Sequence, residues 1–326
     1  MKNLRKLQVL CLLLAGILLL GGCGSSKTAD FRVGALKGPT TIGLLQLMEK
    51  AENNETENTY TFTMAVGADE LTPLLVQGEL DMVLVPANVA AILYNKTQGG
   101  ICVVDINTLG VLYIVSGSEA INSFEDLRGK TIYLTGKGTT PDLALQYLLS
   151  ANGIDLSEVS LEYRSEATEI AALLAENPEN IAVLPQPFVT VACAQNEQLA
   201  IRISMTEEWE RVQGDGGSRL VTGVTVVRKE FLEENPEAVK LFLTEHAEST
   251  RYTETNLDET AALCVKAEII ANENVAKKAI PYCNITCMTG EEMKEALSGY
   301  LGVLYEMNPE SVGGSLPEDD FYYLGK

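Results

Sequence analysis

Histidine is nearly absent from this sequence, since His246 is the only one among 326 residues. A Ser-His-Asp or Cys-His catalytic site would have to use it. His246 lies in a charged helical pattern, residues 244–248, and we therefore expect it to be solvated rather than catalytic. Paired acids such as Glu207-Glu208 read as acidic surface. The sequence predicts no catalytic residue and no cofactor, and so does not favour an enzyme.

Cysteine pairs with the C-x-x-C spacing of metal sites are also missing. Seven cysteines are present, of which Cys11 and Cys23 belong to the N-terminal segment described below. Cys102, Cys193 and Cys264 lie in apolar or helical patterns and read as small buried side chains. A local disulfide between Cys283 and Cys287 remains open. With a single histidine to assist them, we expect no zinc or other metal site.

Positive charge is scarce: 24 lysines and arginines face 45 acids, for a net charge of −21. Loss of residues 1–22, which carry three positive charges, makes this −24. A chain this acidic is repelled by nucleic acid and by anionic lipid headgroups. We therefore expect no nucleic-acid partner.

The apolar run at the N-terminus, Leu7 to Leu20, is too short for a comfortable membrane span. A basic start precedes it, and Leu20-Gly21-Gly22-Cys23 closes it. This ending resembles the lipobox of bacterial lipoproteins. The resemblance implies a signal peptide over 1–22, lipidation of Cys23 and a tether over 23–30. We expect export and a lipid anchor on the outer face of the bacterial cell membrane or in the periplasm.

A glycine-rich loop at residues 136–141, Gly-Lys-Gly-Thr-Thr-Pro, separates a strand pattern from a helical one. Subtracting 99 places its two threonines on Thr40 and Thr41, in a second Lys/Gly/Thr loop with the same flanking pattern. An internal repeat of this kind predicts two similar α/β lobes. Ligands of open α/β sheets lie at the carboxyl ends of the strands, so both loops should face one cleft.

Short strand and helix patterns alternate from Phe31, which predicts an α/β fold with mainly parallel sheets. After Arg228 three helical patterns follow, at 231–256, 257–272 and 291–307, with no further strand pattern. We expect lobe 1 over 31–113 and 222–326, lobe 2 over 114–221, a two-strand hinge and C-terminal helices on lobe 1. The predicted strands are 31–36, 60–66, 81–85, 101–105, 111–116, 131–134, 159–163, 181–184, 199–203 and 221–228.

Helix starts beside lysines favour a polar or anionic ligand. The repeat-related corners after 81–85 and 181–184 add amide side chains, which equally well face water. Tyr113, Tyr133 and an apolar wall at 188 leave room for a flat heterocycle. The candidate ligand-binding residues are Gly38, Thr40, Thr41, Asn88, Lys137, Gly138, Thr139, Thr140, Gln186 and Phe188.

The lipobox, the run 129–141, the corner 86–88 and the segment 231–238 resemble solute-binding lipoproteins of ABC importers. Among these, the nitrate/sulfonate/taurine and thiamine-precursor-like binding proteins are the most similar group. The resemblance covers residues 1 to about 310. It implies a periplasmic-binding-protein type II fold, capture of a small solute by lobe closure and delivery to a permease driven by a cytoplasmic ATPase. We expect a monomer.

The same residues leave two alternative functions open. The first is an enzyme on this fold, similar to a yeast-type pyrimidine synthase or a menaquinone-pathway dehydratase. The synthase depends on a histidine and a cysteine cluster that this chain lacks, and export does not suit the dehydratase. The second is a sensory or adhesion lipoprotein that binds a partner protein.

Overall fold

A computed structural model describes residues 28–325, and the proposed signal peptide and Cys23 lie outside this range. Two mixed β-sheets dominate it. The first sheet has six strands in the order β2-β1-β3-β10-β4-β11. Its strands are β1 (Asp30–Leu36), β2 (Thr59–Ala65), β3 (Met82–Pro86), β4 (Ile101–Leu109), β10 (Val221–Arg228) and β11 (Ile285–Met288).

The second sheet has five strands in the order β7-β6-β8-β5-β9. Its strands are β5 (Leu112–Ser116), β6 (Thr131–Leu134), β7 (Ser160–Tyr163), β8 (Ile181–Pro185) and β9 (Ala200–Ser204). All ten strands predicted from the sequence are present, most within one or two residues of their expected ends. Apolar runs and alternating apolar patterns in the sequence were sufficient to predict them.

The two sheets repeat one topology. In each, a central strand (β1 or β6) pairs in parallel with its two neighbours. The strand that follows β3 or β8 in the order of the sheet, which is β10 or β5, runs antiparallel to both of its neighbours. The chain passes from the first sheet to the second between β4 and β5 and returns with β10. The fold is therefore of periplasmic-binding-protein type II, with two α/β lobes joined by two crossings.

Thirteen α-helices lie within residues 28–325, and most connect successive strands. They are α1 (Pro39–Ile42), α2 (Leu45–Glu52), α3 (Ala68–Val76), α4 (Ala87–Lys96), α5 (Thr140–Ala151), α6 (Ala167–Glu176), α7 (Phe188–Gln195), α8 (Met205–Gln213), α9 (Lys229–Glu234), α10 (Pro236–Thr255), α11 (Leu257–Lys266), α12 (Glu273–Ala279) and α13 (Gly290–Met307). No helix in this range is long and apolar enough to cross a membrane.

The expectation of no strand after Arg228 is wrong, because β11 pairs antiparallel with β4 at the edge of the first sheet. The predicted helix 231–256 is two helices, since α9 ends before Asn235 and proline begins α10. The pattern 257–272 likewise ends early, because α11 stops at Lys266 and α12 begins only at Glu273. The helix over 291–307 is confirmed.

The C-terminal helices pack on the first sheet and also reach the second lobe. Helix α13 contacts β4 and β10. It also brings Tyr300 against Trp209 of α8, with ring centroids 5.4 Å apart. Helix α12 contacts α7, where Val191 packs on the apolar cluster around Ala276 and Ile280. The C-terminal helices therefore contact both lobes.

Candidate functional site

A cavity of about 1030 Å³ lies between the loop after β1 and the loop after β6. Further lining comes from the segments after β2, β3, β7 and β8, from the returning strand β10 and from residues 268–269. Of the ten residues predicted to bind ligand, six line it: Gly38, Thr40, Lys137, Thr139, Thr140 and Phe188. The other four, Thr41, Asn88, Gly138 and Gln186, are absent from the wall and make hydrogen bonds within the protein.

The first loop turns directly from β1 into the short helix α1, with proline in its first turn. Thr40 presents its side chain to the cavity, whereas the Thr41 hydroxyl donates a 2.6 Å hydrogen bond to the carbonyl of Leu36. Thr41 therefore fastens the turn. Lys37 at the rim forms a 2.8 Å ion pair with Glu268, so its ammonium already has a partner.

The second loop is held by its own internal bonds. Gly136 and Gly138 have φ of +71° and +74°, a conformation that side chains other than glycine rarely adopt. The Thr139 hydroxyl donates to the carbonyl of Gly136 at 2.7 Å. The amide of Gly138 donates to the buried carboxylate of Asp142 at 2.8 Å. The carboxylate of Asp142 thus already accepts a hydrogen bond from an amide that was expected to bind an anionic ligand.

The corner residues that offered amide side chains are buried, and neither faces water. Asn88 donates from Nδ2 to the carbonyls of Gly138 and Ser311, at 3.0 and 3.2 Å. Oε1 of Gln186 accepts from the hydroxyl and the backbone amide of Thr190, at 2.9 and 3.3 Å. Neither side chain lines the cavity, and both form hydrogen bonds with segments that surround it.

Phe188 begins α7 and contributes an aromatic surface to the cavity. It is 7% exposed, and it also packs on the apolar cluster around Val115 and Leu184. The cavity is therefore continuous with the core of the second lobe at this point. Apolar side chains elsewhere on the wall include Leu36, Val89, Ile92, Leu112 and Ile269.

Three threonine hydroxyls on the cavity wall are buried without a hydrogen-bond partner. They belong to Thr40 in the first loop, Thr140 in the second loop and Thr222 in the returning strand β10. Buried polar atoms are almost always paired, so each of these hydroxyls can gain a partner if its side chain rotates toward a bound ligand. Sequence reasoning missed Thr222, because it lies in an apolar strand pattern with no turn to mark it.

Thr140 has a further polar neighbour in Tyr300 of α13. Burial raises the pKa of the Tyr300 phenol, and Thr140 partly opposes that rise. No hydrogen bond of ordinary geometry joins the two hydroxyls. Thr140 is fully buried, so its hydroxyl would have to turn away from Tyr300 to meet a ligand.

Charges of both signs line the cavity in equal number. The basic residues are Lys37, Lys96, Lys137 and Arg164, and the acidic ones are Asp69, Glu70, Glu166 and Glu268. Lys137 and Arg164 lie over aromatic rings, those of Tyr163 and Tyr133, each about 5.2 Å from the ring centroid. The wall as a whole is mixed in charge and largely apolar, without a concentrated positive field.

His246 is fully buried, so the expectation of a solvated histidine is wrong. It lies on the inner face of α10, and its charged sequence neighbours point elsewhere. Its Nδ1 is 3.1 Å from Oδ2 of Asp105 and 4.0 Å from Sγ of Cys287. Burial alone would lower the pKa of His246, but Asp105 and Cys287 outweigh burial and raise it to about 10. None of the three residues lines the cavity.

All five cysteines within residues 28–325 carry free thiols, so Cys283 and Cys287 are not joined. Cys283 is buried in the cluster beside α12 and donates to the carbonyl of Ala279. Burial raises the pKa of its thiol. Cys283 therefore acts as a packed apolar side chain, while Cys287 faces His246.

The model of the family described as NMT1/THI5 like matches residues 97–259 of this chain. Among curated proteins, a binding protein of Brucella abortus (strain 2308) is 21% identical over 220 residues. The alignment covers 66% of this chain and 65% of that relative. The chain thus spans about two thirds of the length of the curated relatives it matches.

Solved structures share the whole architecture. An ABC transporter from Parabacteroides distasonis matches with a TM-score of 0.73 and 24% identity, over 90% of this chain and 98% of that one. The periplasmic aliphatic sulphonate binding protein of Escherichia coli matches with a TM-score of 0.70 and 14% identity, over 88% and 96%. The alkanesulfonate-binding protein of Xanthomonas axonopodis pv. citri, bound to MOPS, gives 0.67 and 14%, over 89% and 94%. At these identities the likeness shows the fold.

Proposed function

Because the chain belongs to the NMT1/THI5-like family, we propose that it is an extracytoplasmic solute-binding lipoprotein of an ABC importer. It captures a small solute between its two lobes and delivers the solute to a membrane permease whose ATPase lies in the cytoplasm. One observation carries the proposal: both loops of the repeat and strand β10 line the same cavity, so both lobes contribute to its wall.

Capture requires that the two lobes move relative to each other. We assign lobe 1 to residues 31–113 and 222–326 and lobe 2 to 114–221, which the strand membership of the two sheets supports. Two extended crossings are a common arrangement for hinge motion. A solute that contacts both loops stabilises the closed form, because the open form cannot make both sets of contacts.

The solute is small and either anionic or heteroaromatic, and the wall favours the second class. Acids balance the basic residues, and Asp142 already takes the amide of Gly138. A cavity of about 1030 Å³ is large for a small inorganic anion. A flat ring on Phe188, with polar atoms toward Thr40, Thr140 and Thr222, would use the features that are present.

The proposal also includes export and a lipid on Cys23, through which the protein is attached to the membrane. We further propose that the protein is a monomer. The basic start, the short apolar run and the closing Leu-Gly-Gly-Cys support export and lipidation. A protein held near the membrane by lipid encounters its permease at high local concentration. No step of the proposal needs catalytic residues, a cofactor or a metal in the cavity.

An enzymatic role on the same fold finds less support. General acid-base or nucleophilic catalysis needs a side chain of suitable reactivity within reach of the substrate. The histidine of the chain lies in the core beside Asp105, and it does not line the cavity. The described cysteines do not line it either.

A thermal-shift screen of the purified protein tests the proposal, with sulfonates, carboxylates, pyrimidines and amino acids as probes. A solute at 100 times its Kd stabilises the folded state by about 2.7 kcal/mol, which raises Tm by several degrees. Uptake of that solute by cells should then require this protein. Uptake that is unchanged in a deletion strain would contradict the transport role, and turnover of the solute by the pure protein would favour an enzyme.

A further inference from the structure

Asp105, His246 and Cys287 form a cluster of three different metal-ligand types in the core of lobe 1. They come from the middle of β4, the middle of α10 and the edge strand β11. Nδ1, a carboxylate oxygen and Sγ all lie within 4.8 Å of one another. Asp105 and His246 are fully buried, whereas Cys287 is half-buried.

The carboxylate in this cluster is oriented by a second layer of hydrogen bonds. The Thr225 hydroxyl donates to Oδ1 of Asp105 at 2.8 Å. Nδ2 of Asn107 in turn donates to that hydroxyl at 3.2 Å. Oδ2 is thereby left directed toward His246. Supporting hydrogen bonds of this kind are typical of metal-binding carboxylates.

The second nitrogen of the His246 imidazole, Nε2, has an unpaired hydroxyl in its vicinity. Nε2 of His246 and the hydroxyl of Thr250, one helical turn further along α10, are both buried without a hydrogen-bond partner. Both lie close to Gly43, where an added Cβ would be 3.0 Å from the hydroxyl and 3.9 Å from Nε2. An imidazole that binds metal through Nδ1 carries its proton on Nε2, and the Thr250 hydroxyl is a candidate acceptor, although the two atoms are not hydrogen-bonded here.

We propose that Asp105, His246 and Cys287 bind one divalent cation of the zinc class, with water completing the coordination. Nitrogen and sulfur ligands select borderline-soft ions over magnesium and calcium. The distances of 3.1 and 4.0 Å from Nδ1 require little movement to place each atom at bonding distance from one ion. A divalent charge would balance the carboxylate and the thiolate that such a site contains.

No spacing pattern in the sequence marks this site, because Asp105 and Cys287 are 141 and 41 residues away from His246 along the chain. Spacing rules detect ligands on one turn or one hairpin, and here the sheet brings together three distant segments. The site lies outside the cavity, so it is independent of the proposed solute-binding function. A failure of one proposal leaves the other standing.

Cobalt(II) is the probe for the test, since a thiolate bound to it gives an intense near-ultraviolet charge-transfer band. The full-length protein is extracted in detergent and purified without a histidine tag. We expect one equivalent of Co²⁺ to develop the band and one equivalent of Zn²⁺ to remove it. Zn²⁺ should also raise the Tm of protein that has been stripped by a chelator.

Cys287→Ser should abolish the band while the far-ultraviolet circular dichroism stays native. Cys193→Ser is the matched control, because Cys193 is also half-buried but lies on α7 of the other lobe. Asp105→Asn should weaken Co²⁺ binding at least tenfold and leave the thiolate band at saturation. Absence of the band from the wild-type protein, or its persistence in Cys287→Ser, would overturn the site in favour of a metal-free Asp-His pair.

Discussion

Nδ2 of Asn88, on the first lobe, donates a 3.0 Å hydrogen bond to the carbonyl of Gly138, in the glycine-rich loop of the second lobe. The same Nδ2 donates to Ser311, in the segment after α13. The position of the second loop therefore depends on a buried side chain of the opposite lobe. Asn88 thus links cleft geometry to the packing behind the cavity.

Asn88→Ala should lower both stability and solute affinity. Loss of the side chain leaves two buried carbonyls with one donor fewer, a cost of about 1–3 kcal/mol. Urea unfolding and calorimetric titration with the solute found by screening measure the two effects. Asn95→Ala is the matched control, because Asn95 is on the same helix and donates to Val312 and Ser315 without touching the second lobe. Equal loss of affinity in both variants would argue against a specific link.

Thr40→Val and Thr140→Val should each weaken the solute about three- to tenfold, because each removes one hydrogen bond worth about 1 kcal/mol. Neither should destabilise the empty protein much, since neither hydroxyl has a partner there. Thr41→Val is the control: it removes the bond to Leu36 and should lower Tm without a large change in affinity. If Thr41→Val alone weakens the solute, the cavity wall has been assigned to the wrong threonine.

Asp81 should make the protein sensitive to acid. Burial alone would raise the pKa of this carboxyl, but hydrogen bonds from Arg32 and Arg228 outweigh burial and hold the pKa below its usual range. A lowered pKa in the folded state contributes stability above the unfolded value of about 3.9. That contribution is lost as the pH falls from about 4 toward the folded pKa.

Asp81→Asn should therefore cost about 1.5–3 kcal/mol at pH 7 and less at pH 3, as measured by urea unfolding at both pH values. Asp215→Asn, at an exposed position in a loop, is the control and should change stability little at either pH. A deficit for Asp81→Asn that is as large at pH 3 as at pH 7 would mean that packing, and not the ion pair, is responsible.

Cys23→Ala should release the protein from the membrane. Cys23 lies outside the described residues, and the prediction rests on the sequence that surrounds it. A single acyl chain binds membranes only marginally, so loss of all lipid should leave the protein with no anchor of this kind. Fractionation of cells, with immunodetection of the soluble and membrane pools, measures the change. A variant that stays in the membrane pool would point to an uncleaved N-terminal helix.

The sequence was sufficient for ten strands, because each is either an apolar run such as Met82–Pro86 or an alternating pattern such as Thr59–Ala65, with turn residues nearby. It was not sufficient for β11, whose four residues, Ile285 to Met288, are only partly buried apart from Met288. This short strand exists because the edge of β4 is available to pair with it. Tertiary pairing, and not local propensity, determines such a strand.

The burial of His246 could have been predicted from helical spacing, but its charged neighbours in the sequence indicated the opposite. The residues before and after it are charged or small, which suggested an exposed position. Counting along α10 instead, Val239, Phe242, His246 and Thr250 recur every three or four residues and all are buried. Helical spacing therefore placed His246 on the apolar face, and that pattern is more informative than its immediate neighbours.

The repeat was sufficient to locate the candidate site, but it did not show which residues of each loop line the cavity. Both threonines of each loop looked alike, yet Thr40 faces the cavity while Thr41 is bonded to Leu36. Which of two neighbouring side chains faces a cavity depends on one backbone turn. Asn88 and Gln186 likewise needed the packed structure, because their partners are other segments of the chain.

The strands of the second sheet come from one continuous segment, 112–204, whereas the first sheet needs β10 and β11 from beyond residue 220. A chain that emerges with its N-terminus first can therefore finish the second sheet while the first still lacks the strand between β3 and β4. During that interval both strands present unpaired edges, which are prone to pairing with other chains. The order of emergence makes the N-terminal third of the protein the last part to be completed, and the part most dependent on protection until then.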